Sequence, residues 1–393
     1  MDGLAGGFTA IVLPYIAVQK GMSVTAIGAI IGAYVLAAPV KLLWSPILDM
    51  WWTLKRWYLL GTAITIITIL TMFQAPIDDG GQWLLIGLGF VLGTASQIAN
   101  AAQGALLVLT VERKELSAAS GYVQGSKLVM QGVSGGAGVL IATRWGMSAA
   151  SLCFAGAVVF TSLPIGMISE PARRLVSLKL SARLLAVGGE MVDMARQPRS
   201  RWVMLAFLTP IGAGGASYLW PALAPEWHAG PNVVSLANGL GAAAASGLGC
   251  FIYGRFVGHF DRIKAFLTTA MLLVGAALLL TALPREAMFF AAGTMIYSLM
   301  LGFSYASYTA LQFETVGEGA VASKNALLNA FGNVPITYMP ILLGIVHDQW
   351  STTAMLLFEV MLTSFVITIF AFLRPRTTCD HMGAISIVTV SAG

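Results

Sequence analysis

The 393-residue chain is 57% hydrophobic and only 10% charged, and its mean hydropathy is +0.81. This composition excludes an ordinary water-soluble domain, in which about 25% of residues are charged. The net charge of +5 does not indicate nucleic-acid binding, because the basic residues lie in short loops between apolar runs and form no patch. Three widely spaced cysteines and four histidines without metal-ligand spacing predict no disulfide framework, no metal site and no cofactor.

Apolar stretches follow one another along the whole chain, each about 20 residues long and able to cross a hydrocarbon core of about 30 Å. The first and the seventh are interrupted by Gly and Pro. The pattern predicts an all-α multi-pass membrane protein with 12 transmembrane helices. The twelve predicted spans are 3–19, 24–50, 57–75, 83–110, 117–142, 146–168, 201–224, 233–257, 264–283, 287–312, 321–346 and 350–373.

One long polar connection divides these spans into six and six. It predicts an N-terminal six-helix bundle at 1–169, a cytoplasmic linker at 170–200, a C-terminal bundle at 201–374 and a tail at 375–393. Apolar residues at helical spacing within the linker favour an amphipathic helix on the inner leaflet, with a disordered linker as the alternative. The first span begins almost at Met1, which leaves open a further short N-terminal arm.

The distribution of Lys and Arg predicts the orientation. With both termini inside, 17 of the 22 basic residues lie in or next to cytoplasmic loops, while Lys20, Arg144 and Arg285 lie outside. Such an excess is typical of the cytoplasmic side. We therefore expect an integral protein of a bacterial inner membrane, with cytoplasmic N- and C-termini, acting as a monomer.

Two short loops at corresponding places in the two halves carry similar charges. The chain reads KLLWSPILDMWWTLKR at 41–56, after the second span, and GRFVGHFDRIK at 254–264, after the eighth. Further weak matches between the fifth and eleventh spans place Lys127 on Asn329 and Gln131 on Asn333. Parallel repeats of six helices would produce this correspondence.

These loops resemble the signature loop of the major facilitator superfamily. The resemblance implies two six-helix bundles in the major facilitator fold. It also implies loop aspartates that cap a helix end and pair with cations across the cytoplasmic face, which stabilises the outward-open state. The implied gate residues are Asp49, Lys55, Arg56, Asp261 and Arg262. The sequence departs from the signature at one point. The signature has a glycine four residues before the aspartate, whereas this chain has Ser45 there, followed by Pro46.

The departure itself resembles a particular branch of that superfamily. The run KLLWSPILD, at 41–49, is similar to an element of the muropeptide permease (AmpG-like) and acetyl-CoA transporter branch, shared by some siderophore-uptake permeases. The preceding residues 23–39 also fit the second span of this branch. The resemblance implies muropeptide-like, acyl-CoA-like or siderophore substrates.

Polar side chains inside predicted spans are the candidates for a transport path, because they are costly in a membrane unless they face a bundle interior or an aqueous cavity. Lys127 is the foremost, since it lies near mid-membrane and its own helix has no acidic residue to neutralise it. An aqueous cavity with an anionic solute, a lowered pKa or an ion pair with another span would each accommodate it. The predicted path residues are Lys41, Gln97, Asn100, Gln103, Gln124, Lys127, Gln131, Tyr305, Tyr308, Asn325, Asn329 and Asn333.

Each of these residues also has a simpler explanation. The amides would equally serve as hydrogen bonds between helices, and Lys41 would reach the interface by extending its aliphatic stem. Intramembrane carboxylates are scarce, and superfamily geometry puts Glu359, the clearest, at the periphery, so the sequence names no coupling group.

The sequence as a whole predicts a secondary active transporter that moves an organic solute by alternating access, coupled to protons. The expected partners are a small-molecule solute, the proton and the lipid bilayer. A transporter-like sensor or scaffold without flux is one alternative. A membrane-embedded enzyme is another, although the sequence has no HExxH or Walker A motif.

Overall fold

A computed structural model describes residues 1–44, 48, 52–77, 80–110, 116–168, 185, 189, 192–194, 196–257, 261–316 and 321–373. Within these ranges the chain is helical, without a β-strand. The linker positions between 170 and 191 lie largely outside the described residues, and so does the tail from 374 onward. The amphipathic helix predicted for the linker and the tail at 375–393 therefore lie largely outside the described residues.

Twelve predicted spans are represented by helical segments in the described part of the chain, in the order that the sequence predicts. Eight are single α-helices: α2 Val24–Trp44, α3 Leu54–Gln74, α4 Gln82–Thr110, α5 Leu116–Trp145, α9 Arg262–Ala282, α10 Ala287–Val316, α11 Val321–Gln349 and α12 Thr352–Phe372. Helix α6, Met147–Ser162, continues into a 3₁₀ turn at Leu163–Met167. Among the described residues, nine helices are long and apolar enough to cross a membrane.

The remaining three helices are interrupted. Helix α1 consists of Asp2–Gly7, a π-helical piece Phe8–Val12, and Leu13–Gln19. Helix α8 consists of Pro231–Val234, Ser235–Gly241, Ala242–Ile252 and Tyr253–Val257. Helix α7 consists of Pro198–Phe207 and, after a non-helical stretch, Gly215–Tyr218, Trp220–Leu223 and Ala224–Trp227.

The interruption of α7 follows from its sequence. Gly212 and Gly214 have φ angles of +72° and +62°, in the left-handed region that glycine adopts without strain. Irregular backbone is tolerated at membrane depth only where protein surrounds it. Here Tyr338 of α11 donates a hydrogen bond of 3.2 Å to the carbonyl oxygen of Leu208, which satisfies one of the groups that the break exposes.

Helices of the same half pack against one another, and selected helices cross between the halves. In the first half α1 lies on α5, and α2 and α3 lie on α4; in the second, α8 and α9 lie on α10, and α9 and α11 lie on α12. Between the halves, α2 packs on α11 and α5 on α8. Two six-helix bundles thus enclose the space between them.

The two ends of this assembly are called the basic end and the opposite end. The basic end carries Lys55, Arg199 and Arg262. The opposite end carries Ser23, Arg144 and Asp348.

Candidate functional site

Helix α1 lies against α5 at a crossing made of glycines. A Cβ atom on Gly3 would stand 2.5 Å from the carbonyl oxygen of Lys127, and one on Gly7 would stand 2.4 Å from that of Gln131. A residue larger than glycine would clash at either position, so the glycines allow the close approach of the two backbones. The crossing brings Asp2, in the first turn of α1, against the middle of α5.

Asp2 and Lys127 form an ion pair at this crossing. Lys127 Nζ lies 2.9 Å from Asp2 Oδ2, and the two side chains are only 21% and 20% exposed. Lys127 Nζ also donates a hydrogen bond of 2.9 Å to Asn100 Oδ1, while the Ser96 hydroxyl donates to Asp2 Oδ1. Each charge therefore has both an opposite charge and a neutral partner, which offsets the cost of holding it at membrane depth.

A second lysine lies near this pair. Lys41, in the last turn of α2, places its Nζ 3.5 Å from Gln97 Oε1 of α4. The ammonium group of Lys41 therefore lies against a neighbouring helix of the same bundle. The two ammonium groups of Lys41 and Lys127 and the carboxylate of Asp2 have a net charge of +1.

A cavity of about 180 Å³ lies between the two halves beside the ion pair. Its walls come from one face of each contributing helix; Asp2, Gly6 and Thr9, for example, follow the i, i+4, i+7 spacing of a single helix face. Several hydroxyl, amide and charged groups converge there, as in binding sites for polar solutes. The cavity is lined by Asp2, Gly3, Gly6, Thr9, Ala10, Ile31, Tyr34, Val35, Ala38, Gln97, Lys127, Gln131, Tyr218 and Asn333.

The second half contributes Tyr218 and Asn333 to this cavity. Tyr218 lies just after the break in α7 and is hydrogen-bonded to Tyr305 of α10. Asn333 donates hydrogen bonds of 2.8 Å to both the carbonyl and the side-chain oxygen of Asn329, one turn earlier in α11. Gln131 and Asn333, which the internal repeat pairs with each other, thus lie in one cavity.

The other predicted path residues have different surroundings. The hydroxyl of Tyr308 donates a hydrogen bond of 3.0 Å to the carbonyl oxygen of Leu328, and its ring packs on Phe207. This arrangement joins α10 to α7 and α11. Gln103 is partly exposed about one turn beyond Asn100. The side chains of Gln124 and Asn325 are not among those that the structure describes.

At the basic end, the predicted gate residues are held mainly within their own halves. Asp261 Oδ1 accepts a hydrogen bond of 2.9 Å from the backbone N–H of Lys264 and so caps the N-terminus of α9. Arg262 Nε lies 3.7 Å from Glu314 Oε2 of α10, and Arg199 of α7 also pairs with Glu314.

In the first half, Lys55 donates a hydrogen bond of 3.4 Å to the carbonyl oxygen of Gly166, and Arg56 is exposed. Asp49 lies outside the described residues.

At the opposite end, a cluster of charged side chains connects the halves. His347 places Nε2 2.5 Å from Glu226 Oε1 and Nδ1 3.0 Å from Asp348 Oδ1. Asp348 also accepts hydrogen bonds of 3.1 and 2.7 Å from the backbone N–H groups of Val24 and Thr25, at the start of α2. A carboxylate of the second half therefore caps a helix of the first half.

Two groups of this end lie outside the spans and have shifted pKa values. Burial opposes ionisation of Glu226, but hydrogen bonds from His347 and Thr352 hold its pKa below the usual value. Burial lowers the pKa of Arg285, whereas the charge of Glu226 opposes that change. The guanidinium of Arg285 also lies 4.3 Å from the ring centroid of Trp227.

Close helix crossings hold the halves together in the part of the protein nearer the opposite end. A Cβ atom on Gly28 of α2 would stand 2.4 Å from the carbonyl oxygen of Pro340 of α11. One on Gly136 of α5 would stand 2.8 Å from that of Ser235 of α8. Glycines on α2 and α5 thus allow close contacts between the bundles.

Sequence reasoning missed several members of this site, Asp2 above all. The first span was predicted to begin at residue 3, which left the carboxylate outside the membrane. The signal was available, because Asp2 shares a helix face with Gly6 and Thr9. Tyr34, Ser96 and Tyr218 gave no comparable signal, since single hydroxyl groups are common in membrane helices.

Among the described residues no group of three or more His, Cys, Asp or Glu side chains is arranged to hold a metal ion. Cys153 and Cys250 are free thiols. The chemical groups that the cavity offers are therefore the ammonium, carboxylate, amide and phenol groups already described.

Comparisons with known proteins agree with this architecture. The family model of the Major Facilitator Superfamily matches residues 1–201. A mutant of the nucleoside transporter NupG superposes with a TM-score of 0.71 at 12% identity, covering 95% of this chain and 96% of that one. A D-xylose-proton symporter superposes with a TM-score of 0.67 at 10% identity, covering 96% of each chain. The chain is thus an integral membrane protein with the fold of secondary transporters, and it belongs to the major facilitator superfamily.

Proposed function

We propose that this protein is a proton-coupled secondary transporter for an organic solute with an anionic group, and that the Asp2–Lys127 pair is the coupling site. The observation that supports it is a lysine and a carboxylate 2.9 Å apart in the wall of a cavity between two six-helix bundles. Intramembrane charges are costly and therefore mark solute or ion pathways by default.

Lys127 is suited to bind an anion. Asp2 and Asn100 take two of the three protons that its ammonium group can donate, which leaves one for a ligand. The excess positive charge contributed by Lys41 favours an anion in the cavity. A carboxylate or phosphate group on the solute would then occupy the position that Asp2 holds in this structure.

This competition for Lys127 supplies a coupling mechanism. While Asp2 is ionised it neutralises Lys127, and an anionic solute must displace it. When Asp2 takes a proton, Lys127 loses its counter-charge and attracts the anion of the solute instead. Proton binding and solute binding thus favour each other, as linkage between two sites requires.

The substrate class follows from the branch that the KLLWSPILD run resembles. We propose a muropeptide-like, acyl-CoA-like or siderophore solute, all of which carry anionic groups. A cavity of about 180 Å³ is smaller than the roughly 300–1,000 Å³ typical of small-molecule sites. In this conformation it would therefore admit the anionic group of such a solute and not the whole molecule.

The gate residues and the orientation belong to the same proposal. Asp261, which caps α9, and Arg262, which pairs with Glu314, lie at the basic end. We assign this end to the cytoplasm, with both termini there, in a bacterial inner membrane. Asp49, Lys55 and Arg56 would form the corresponding gate of the first half, and one chain would suffice for transport.

The test is uptake into proteoliposomes under an imposed pH gradient, with labelled muropeptides, acyl-CoA and ferric siderophores offered in turn. Wild-type protein should accumulate one class, and Lys127→Ala should reduce that uptake to the level of empty vesicles, because it removes the anion-binding group and leaves Asp2 unpaired. Lys20→Ala is the control, since Lys20 is exposed in the turn after α1 and should not affect uptake.

Two results would contradict the proposal. If Lys127→Ala took up solute at the wild-type rate, Lys127 would not be part of the path. Absence of uptake for all three classes would exclude the proposed substrates.

A further inference from the structure

The second half contains a buried carboxylate that the proposed coupling site does not use. Glu359, in α12, is only 6% exposed, although superfamily geometry suggested a peripheral position for it. It is the one acidic or basic residue of α12. No described Lys, Arg or His forms an ion pair with it.

Its two oxygens have unequal surroundings. Glu359 Oε1 accepts a hydrogen bond of 3.2 Å from the backbone N–H of Ala216 and one of 3.0 Å from the hydroxyl of Tyr297. Oε2 is buried and has no hydrogen-bond partner among the described residues. An ionised carboxylate in this position would have an unsatisfied oxygen and no counter-charge, and such groups take up a proton instead.

The position of Glu359 links its protonation to the break in α7. Ala216 lies in the 3₁₀ turn Gly215–Tyr218, where α7 resumes after its break. Two residues further on, Tyr218 lines the cavity. The side chain that supports the break is therefore connected by a short piece of backbone to the wall of the solute cavity.

We propose that Glu359 is a proton-binding site whose ionised form draws the α7 break against α12 and so sets the position of Tyr218 in the cavity. This inference names a regulation of the site assigned above and rests on that assignment for its role in transport. When the proton leaves, the negative charge strengthens the hydrogen bonds from the backbone N–H of Ala216 and the hydroxyl of Tyr297, and the 3₁₀ turn is held more tightly against Glu359. The pH thereby controls the shape of one cavity wall.

The surrounding helices also carry groups that titrate. Helix α10 contributes Tyr297, which also packs edge-on against Trp220 with ring centroids 5.2 Å apart. Tyr297 is the one described titratable side chain that is hydrogen-bonded to Glu359. The other titratable or charged side chains of the neighbouring elements are Arg199, Arg201, Tyr218 and Glu226 of α7, Arg262 and Lys264 of α9, Tyr305, Tyr308 and Glu314 of α10, and Lys324, Tyr338, His347 and Asp348 of α11. A titration that is lost with Glu359→Gln can therefore be attributed to Glu359.

The first test is the infrared spectrum of purified full-length protein without solute, recorded as a function of pH. The difference between wild type and Glu359→Gln should contain the C=O band of a protonated carboxyl group at neutral pH, and this band should disappear as the pH rises. Glu286→Gln is the matched control, because Glu286 is exposed; it should retain the band. A wild-type spectrum without the Glu359 band at neutral pH would overturn the proposal.

The second test is hydrogen exchange at Gly215 and Ala216, measured in the same two proteins. The ratio of the rate in wild type to that in Glu359→Gln cancels the intrinsic effect of pH on exchange. This ratio should be near one while Glu359 is protonated and should fall several-fold as the band disappears, because the charged carboxylate binds the N–H of Ala216 more strongly. A ratio that does not change with pH would overturn the link to the α7 break.

Tyr297→Phe supplies an independent variant that keeps the carboxyl group. It removes a hydrogen bond that favours the charged form, so the band should persist to higher pH than in wild type. An unchanged midpoint would contradict the geometry. None of these measurements involves transport, so failure of the uptake test above would leave their outcome intact, and their failure would leave the Asp2–Lys127 assignment standing.

Discussion

At the scale of single residues, the pairing of Lys127 explains how a lysine persists in the middle of a membrane helix. Asp2 supplies the opposite charge, and Asn100 accepts a further hydrogen bond. Removing one partner of such a pair typically costs about 3–5 kcal/mol, because the other charge stays buried and uncompensated. The pair therefore stabilises both buried charges, and in the proposed mechanism either charge is released by a proton or by a competing anion.

Glu226, at the opposite end, provides a test of the charged cluster there. Its pKa lies below the usual value of 4.5 because of hydrogen bonds from His347 and Thr352. A carboxyl group with a lowered folded-state pKa stabilises the fold above its unfolded-state pKa, and this contribution disappears as the pH falls through the folded-state value. Wild type should therefore melt at a higher temperature than Glu226→Gln above pH 4.5, and the difference should vanish in more acidic buffer.

The measurement is the melting temperature of both proteins in detergent across this range. Glu286→Gln, which changes an exposed carboxylate, should show no such pH-dependent difference. A difference between wild type and Glu226→Gln that stays constant or grows on acidification would show that Glu226 is not stabilised in its charged form.

Part of this residue-level picture could be predicted from the sequence. Polar residues at helical spacing on α4, α5 and α11 indicated which faces meet a cavity, and Lys127, Gln97, Gln131 and Asn333 do lie at its wall. Which groups pair could not be predicted, because pairing depends on the rotation and crossing distance of helices that are remote in sequence. The hydrogen bond between Tyr308 and α11, for example, follows from the packing of three helices.

At the scale of helices, the α1–α5 crossing determines whether the coupling site exists. Replacing Gly7 with valine would place a Cβ atom 2.4 Å from the carbonyl oxygen of Gln131 and 2.8 Å from the backbone nitrogen of Gly135. Such overpacking typically costs about 1–3 kcal/mol and is relieved by moving the backbones apart. The displacement would separate Asp2 from Lys127.

Gly7→Val should therefore lower the melting temperature and abolish pH-driven uptake together. The matched control is Gly156→Val in α6, where a Cβ atom would meet no atom within 4 Å; it should leave both properties near wild type. Uptake by Gly7→Val at the wild-type level would mean that the close crossing is not needed for transport.

Helix number and order were predictable from apolar stretches, whereas helix ends were not. The third span was predicted at 57–75, but α3 is Leu54–Gln74. Thr53 caps its N-terminus by accepting a hydrogen bond of 3.3 Å from the backbone N–H of Arg56, so the helix includes charged residues that a hydropathy average excludes. The break in α7 was indicated by its Gly and Pro residues, but its support by Glu359 depends on a tertiary contact.

At the scale of the whole molecule, the two bundles have different tasks in this account. The first holds the Asp2–Lys127 ion pair, which we propose binds the solute and the transported proton. The second contributes Tyr218 and Asn333 to the cavity wall, and its Asp348 caps α2 of the first bundle. Alternating access requires the contacts between the bundles at the opposite end to separate. In the proposed mechanism, binding of proton and solute at the Asp2–Lys127 pair shifts the equilibrium toward that state.

The most direct measurement of the central claim is solute-dependent proton entry into proteoliposomes, followed with a trapped pH-sensitive dye, in wild type and Asp2→Asn. The solute is the class that wild type accumulates in the uptake assay. In wild type, adding solute should acidify the lumen. Asp2→Asn should still exchange labelled for unlabelled solute, because the amide leaves Lys127 without a counter-charge and free to bind an anion, but it should carry no protons. If Asp2→Asn carried as many protons per solute molecule as wild type, the account would be contradicted.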